Sequence, residues 1–207
     1  MDSPQQEGSD GALGAVLAGG LGSRLGGDKA TVELGGEPLI ARPLAALAAA
    51  GLEAVVVAKP ETELPPLRVP VVREPEQPVH PLCGIVAALE HADGRPVLAL
   101  ACDLPFLDPL LLAWLAWLPD PLAVPAPGGE PQPLVARYGP TLLAPLKLAL
   151  ERGEPLRRTV ESLRPRLVGN PELARFGDPA RLFFNVNDAA DLERARQILR
   201  FGPSRSG

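Results

Sequence analysis

The chain has 207 residues, a formal net charge of −5 and 46% hydrophobic residues, enough apolar content to bury one core of ordinary domain size, which excludes disorder throughout. Its 26 prolines and 21 glycines follow no three-residue period, which excludes collagen-like and low-complexity organisation. The acidic balance, without a Lys/Arg cluster, argues against nucleic acid or anionic lipid as partners, and no uncharged apolar run reaches the ~20 residues of a membrane helix.

Met1 to Asp10 is polar and acidic rather than basic and then apolar, so a cytoplasmic location is expected. Residues 1–10 and 202–207 are expected to be disordered tails around one folded unit, 11–201. From Ala12 onward, short aliphatic runs alternate with longer helical patterns, the signature of an α/β fold with a mostly parallel sheet. The predicted strands are Leu13 to Ala18, Glu53 to Ala58, Val69 to Arg73 and Val97 to Ala101, continuous runs suited to burial on both faces. The predicted helices are Pro38 to Ala50, Pro81 to His91, Pro109 to Trp117, Pro140 to Arg152 and Ala189 to Arg200, several opening on proline, whose missing N–H costs nothing at the first helical position. Pro119 to Pro133 and Gly169 to Pro179 read as loops. Cys83 and Cys102 are the only cysteines, lack zinc-site spacing, and are expected to be reduced thiols.

Directly after the first strand comes Leu17 to Lys29, L-A-G-G-L-G-S-R-L-G-G-D-K, with five glycines between Gly19 and Lys29. Successive glycines let backbone N–H groups turn inward around an anion and let a phosphate approach without meeting a Cβ, while Arg24 and Lys29 supply positive charge. A Walker A loop does not fit: counted from Gly22 and Gly27, Asp28 occupies the lysine position. A dinucleotide fingerprint does not fit either, since Gly20, Gly22 and Gly26 are spaced G-x-G-x-x-x-G and the second strand ends Ala58-Lys59 without a ribose-binding acid. The fourth strand runs into Cys102-Asp103-Leu104-Pro105, which puts a carboxylate at the tip of a buried strand, a position suited to Mg²⁺ held jointly with phosphate oxygens. Asp108 precedes Pro109 and an apolar helix and reads as an N-cap without further function, as does Asp188 before the last helix. Trp114 and Trp117 read as core or interface residues.

Five segments in order, Leu17-Ala18-Gly19-Gly20 with Arg24, Gly26 and Lys29; Pro81-Leu82-Cys83-Gly84; Cys102-Asp103-Leu104-Pro105-Phe106-Leu107; Gln132-Pro133-Leu134 with Tyr138; and Asn185-Val186-Asn187, together resemble the molybdenum-cofactor guanylyltransferases over residues 13–200. The resemblance implies a three-layer α/β/α sandwich with a Rossmann-like sheet of the nucleotide-diphospho-sugar transferase type. It implies a Mg²⁺-dependent transfer of GMP from GTP to the terminal phosphate of molybdopterin, with release of pyrophosphate, and transient contact with cofactor-inserting or acceptor proteins. By position, Leu17, Ala18, Gly19, Gly20, Glu74, Pro81, Leu82 and Gly84 would contact the nucleotide, Arg24 and Lys29 its phosphates, and Asp103 the metal. Gln132, Pro133, Asn185 and Asn187 would face molybdopterin.

The chain departs from the family pattern where Glu74 replaces a nucleotide-contacting Asp, where His80 and Cys83 border the Pro-Leu segment, and where Ala58-Lys59-Pro60 stands in place of a nucleotide-contacting Asn. CTP-dependent relatives tend to carry Ala at the position of Gly19 and to lack the Pro-Leu-x-Gly segment. Transfer of CMP, another small-molecule nucleotidyl transfer, and a non-catalytic nucleotide- or cofactor-binding module are the alternative readings.

Overall fold

The computed structural model describes residues 11–19 and 29–201; the expected tails and Gly20 to Asp28 of the glycine-rich segment lie outside the described residues. In chain order the elements are β1 (Leu13–Leu17), β2 (Glu33–Leu34), β3 (Glu37–Pro38), α1 (Ala41–Ala49), β4 (Ala54–Ala58), β5 (Val71–Arg73), α2 (Pro81–His91), β6 (Val97–Ala101) and α3 (Pro109–Ala116). They continue with β7 (Leu122–Pro125), β8 (Val135–Tyr138), α4 (Leu143–Glu151), α5 (Leu156–Ser162), β9 (Arg166–Val168), α6 (Asn170–Leu173), α7 (Pro179–Leu182) and α8 (Ala189–Phe201).

One sheet carries the order β5-β4-β1-β6-β8-β7-β9. β1 pairs in parallel with both β4 and β6, and β4 with β5, which makes the centre of the sheet the aliphatic runs of the sequence. Their side chains divide with period two: Val16, Val56, Leu98 and Leu100 pack on one face with Leu47 of α1 and Leu111 and Leu115 of α3. Leu13, Ala15, Val55, Val57, Val97 and Ala99 pack on the other with Ile85 and Leu89 of α2 and Leu146 of α4. The result is the expected three-layer α/β/α sandwich.

Several details depart from the sequence reading. The helix expected from Pro38 starts at Ala41, because β2 and β3 pair across Gly35-Gly36, whose φ values of +68° and +85° suit glycine in a tight hairpin turn. The segment Pro119 to Pro133, read as loop, contains β7, a buried Leu-Ala-Val run whose flanking prolines hid its strand character. The expected loop Gly169 to Pro179 contains the single turn α6, and the expected helix from Pro140 opens as a 3-10 turn before α4. β8, β9 and α5 carry no strong periodic signal, and β8 runs antiparallel to both β6 and β7.

That antiparallel strand positions the site. Because β8 enters where β6 leaves, with the Ala101 N–H donating to the Leu134 carbonyl at 2.7 Å, the Gln132-Pro133-Leu134 turn lies beside Asp103. The fully buried Tyr138 closes the turn by donating its hydroxyl to the Pro133 carbonyl at 2.7 Å.

Candidate active site

The carboxyl ends of β1, β4 and β6 open onto one edge of the sheet, where open α/β sheets hold their ligands. β1 delivers Leu17 and Gly19, β4 delivers Lys59, and β6 delivers Asp103. Two clefts lie there. The first, of about 370 Å³, is lined by Leu17, Gly19, Lys29, Lys59, Glu74 and Asp103, with His80, Pro81 and Gly84 from the start of α2. The second, of about 410 Å³, is lined by Asp103, Gln132, Pro133, Asn185 and Asn187, with Leu156 and Arg157 of α5. Ala101, Asp103 and Leu134 border both.

At this divide Lys29 Nζ donates to Asp103 Oδ2 at 2.7 Å and to Asn187 Oδ1 at 2.9 Å. Three residues from distant parts of the chain thus share one ammonium. The last segment is anchored by the Val186 N–H, which donates to the Asp103 carbonyl at 3.0 Å. Asp188 caps α8 by accepting the Asp191 N–H at 2.9 Å, while the Asn187 N–H donates back to Asp191 Oδ2 at 3.0 Å. Capping therefore falls to Asp188, which frees the Asn187 side chain to face Lys29. Among the described residues, the other oxygen of Asp103 and the side-chain oxygen of Asn185 are buried without a hydrogen-bond partner. A buried, unsatisfied carboxylate oxygen on the wall between two clefts is suited to a cation or to a ligand's donor.

Glu74 forms the floor of the first cleft. A Cβ at Gly19 would collide with its Oε1, and one at Gly84 would stand 3.2 Å from its Oε2, so two glycines make room for the carboxylate. Burial pushes the Glu74 carboxyl above its ordinary range; Lys59 opposes this and Glu61 adds to it. His80 caps α2, its Nδ1 accepting the Leu82 N–H at 3.1 Å, which in the neutral ring leaves the proton on Nε2. Cys83 donates its thiol to the Pro78 carbonyl at 3.2 Å, and burial, with Glu74 adding, pushes that thiol up. Both cysteines are buried.

Most residues singled out in the sequence meet at these clefts, but not all. The Leu82 side chain is buried in the core below α2 and its N–H is engaged by His80, so it lines neither cleft. Ala18 is likewise buried in the core, behind Leu17 and Gly19. Gly20, Arg24 and Gly26 lie outside the described residues. Sequence reading passed over Lys59 as a site residue, although it directly follows an all-aliphatic strand and stands two residues beyond the partner of Leu17 on β4, as Asp103 does on β6. It also passed over Leu156 and Arg157, because α5 itself was not anticipated. Asp108 does cap α3, accepting the Leu110 and Leu111 N–H groups. Trp114 stacks at a tilt on Phe176, 5.4 Å between ring centres, whereas Trp117 is exposed.

Fold and site together define a class: a three-layer α/β protein with two adjoining clefts at the carboxyl edge of its sheet, divided by Asp103. Residues 14–167 match the model of the MobA-like NTP transferase domain, and the chain belongs to that family. A molybdenum cofactor guanylyltransferase of Rhizobium johnstonii is 34% identical over 200 residues, covering 90% of this chain and 92% of the relative. One from Cereibacter sphaeroides is 33% identical over 199 residues, covering 91% and 97%. The crystal structure of molybdopterin-guanine dinucleotide biosynthesis protein A from Archaeoglobus fulgidus superposes with a TM-score of 0.78 at 27% identity, over 91% of this chain and 98% of that one.

Proposed function

We propose that this protein transfers GMP from GTP to the terminal phosphate of molybdopterin, forming the guanine dinucleotide cofactor and releasing pyrophosphate. The observation that carries this reading is the contact of Lys29 with Asp103 and Asn187 on the wall between two clefts, which would bring an activated phosphate and its acceptor together. The guanylyltransferase names of the family members above support the choice of reaction. GTP is assigned to the first cleft, with Leu17, Gly19, Glu74, Pro81 and Gly84 around the nucleoside, and Arg24 and Lys29 on the phosphates. Gln132, Pro133, Asn185 and Asn187 are assigned to molybdopterin. An oxygen of the molybdopterin phosphate attacks the α-phosphorus of GTP, and the bond from that phosphorus to the β-phosphate bridge breaks with its electron pair leaving on pyrophosphate. The attacking oxygen is already anionic, so no side-chain nucleophile is required, and the chain's task is to position two phosphates and neutralise their charge.

Mg²⁺ is part of the proposal. Among the described residues no group of three or more His, Cys, Asp and Glu side chains could hold a metal ion. The one fitting donor set is sparse: the unpartnered buried oxygen of Asp103, with the orphaned Asn185 oxygen bordering the same second cleft. Mg²⁺ suits such a site because it keeps waters and takes one or two protein oxygens together with phosphate oxygens. When bound it would withdraw charge from the reacting phosphates. No helix of the described residues is long and apolar enough to cross a membrane. The reading places the protein in the cytoplasm, passing its product on through transient contact with acceptor proteins.

The test is titration calorimetry with GTP, CTP and UTP in Mg²⁺, followed by pyrophosphate release on mixing GTP, Mg²⁺ and molybdopterin. GTP is expected to bind best and to release pyrophosphate only with the acceptor present. A preference for CTP would overturn the guanylyl assignment, and GTP binding without pyrophosphate release would overturn catalysis.

Gly19 offers a sharper check of the nucleoside pocket. In Gly19→Ala the new methyl group must displace the Glu74 carboxylate from the cleft floor. Overpacking of this kind costs about 1–3 kcal/mol, so calorimetry should show GTP affinity falling by about 5- to 150-fold.

A further inference from the structure

Lys59 is a lysine with 7% of its surface exposed, at the carboxyl end of the all-aliphatic β4, on the wall of the first cleft. A buried ammonium is costly unless its donors are engaged and its charge is balanced. Two of its three N–H groups donate to the backbone carbonyls of Pro75, at 2.8 Å, and Glu76, at 2.9 Å. The same nitrogen lies 3.8 Å from Glu74 Oε1, beyond hydrogen-bond length, so it attracts the carboxylate without taking one of its lone pairs. The strand ends are tied in the opposite direction as well, since Arg73 donates to the Lys59 carbonyl at 2.6 Å. The Lys59 side chain therefore fixes the chain directly after Glu74, and it balances the charge of a carboxylate that Gly19 and Gly84 leave room for.

We propose that Lys59 is a positioning residue that sets base specificity, by holding the ionised Glu74 carboxylate toward the donor edge of a guanine. This rests on the assignment of GTP to the first cleft. Guanine presents two parallel donors, the N1–H and the 2-amino group, which match the two oxygens of one carboxylate. Adenine and cytosine turn a ring-nitrogen acceptor toward the same place, and uracil offers a single donor between two carbonyls. A carboxylate held rigid and ionised rejects all three, whereas one that is free to turn, or to take up a proton, discriminates poorly.

The experiment measures the affinities of GTP, ITP and tripolyphosphate by calorimetry for the unmodified protein, Glu74→Gln, Lys59→Met and the double variant. ITP lacks the 2-amino group, so the GTP:ITP ratio reads one arm of the pairing and should be about tenfold or more in the unmodified protein. Lys59→Met is expected to reduce that ratio to the value given by Glu74→Gln, with tripolyphosphate affinity unchanged and the double variant no worse than Glu74→Gln alone. Lys59→Gln, one bond shorter, which keeps an amide donor on the side of the Pro75 and Glu76 carbonyls while removing the charge, is the second variant should Lys59→Met fail to fold, and it too should lower the ratio. An unchanged GTP:ITP ratio in a folded Lys59 variant would overturn the inference while leaving the guanylyl assignment intact. Equal losses for GTP and tripolyphosphate would overturn it as well, since they mark general disruption of the cleft. A preference of the unmodified protein for CTP over GTP would instead overturn the assignment beneath it.

Discussion

Asp103→Asn is expected to abolish turnover while leaving GTP binding measurable. The amide keeps the size of the side chain but removes its negative charge and replaces one acceptor oxygen with an NH₂ donor. Whichever way the amide turns, one position suffers. With nitrogen toward Lys29, two donors face each other across a contact now 2.7 Å long; with nitrogen inward, the buried position of the unpartnered oxygen loses its acceptor. Both arrangements also lose the charge that would attract a divalent ion. The nucleoside end of the first cleft, with Gly19, Glu74 and Gly84, is made by other elements and is untouched. Loss of a preorganised electrostatic contribution, compounded by loss of metal affinity, should lower kcat by about 10³-fold or more. Pyrophosphate release measures the first effect and calorimetry the second; an unmodified rate would mean that the reacting atoms lie elsewhere.

The same residue shows why so much of the site was legible in the sequence. Asp103 ends an uninterrupted aliphatic strand, and in a parallel sheet that position is a ligand position whatever the details of packing. Gly19 and Lys29 could be found for the same reason, flanking a glycine-rich segment after β1. What was hidden depended on burial or on non-local pairing. Lys59 looks like a surface cation until the structure shows the carbonyls and carboxylate packed around it. Leu82 looks like a nucleotide contact at the start of α2 until its side chain is found in the core and its N–H on His80. The strands β7, β8 and β9 hold only three or four residues each, too few for periodicity to declare itself among prolines, and their stability comes from neighbours remote in sequence. Yet one of them, β8, places Gln132 and Pro133 next to Asp103 and so completes the second cleft.

Lys29→Ala tests whether the two clefts are coupled through one ammonium. Lys29 touches Asp103 on one side and Asn187 on the other, and its side chain is 19% exposed, so water screens it only in part. With a triphosphate present, the ammonium would lie among the phosphate oxygens, Asp103 and Asn187, and any gain of negative charge on the phosphates during transfer would strengthen its attraction. Truncation removes that gain and leaves a carboxylate beside the polyphosphate without its cation. Donors of this kind contribute about 2–4 kcal/mol to a transition state, so kcat/KM for pyrophosphate release should fall by about 30- to 1,000-fold. Because Lys29 also orients Asn187, the KM for molybdopterin should rise along with the fall in kcat, a pattern that a contact limited to GTP would not produce. Lys29→Ala combined with Asp103→Asn should lose less than the sum of the two single losses, since each change already breaks the pair that the other depends on. Strict additivity would show that the 2.7 Å contact has no part in the chemistry.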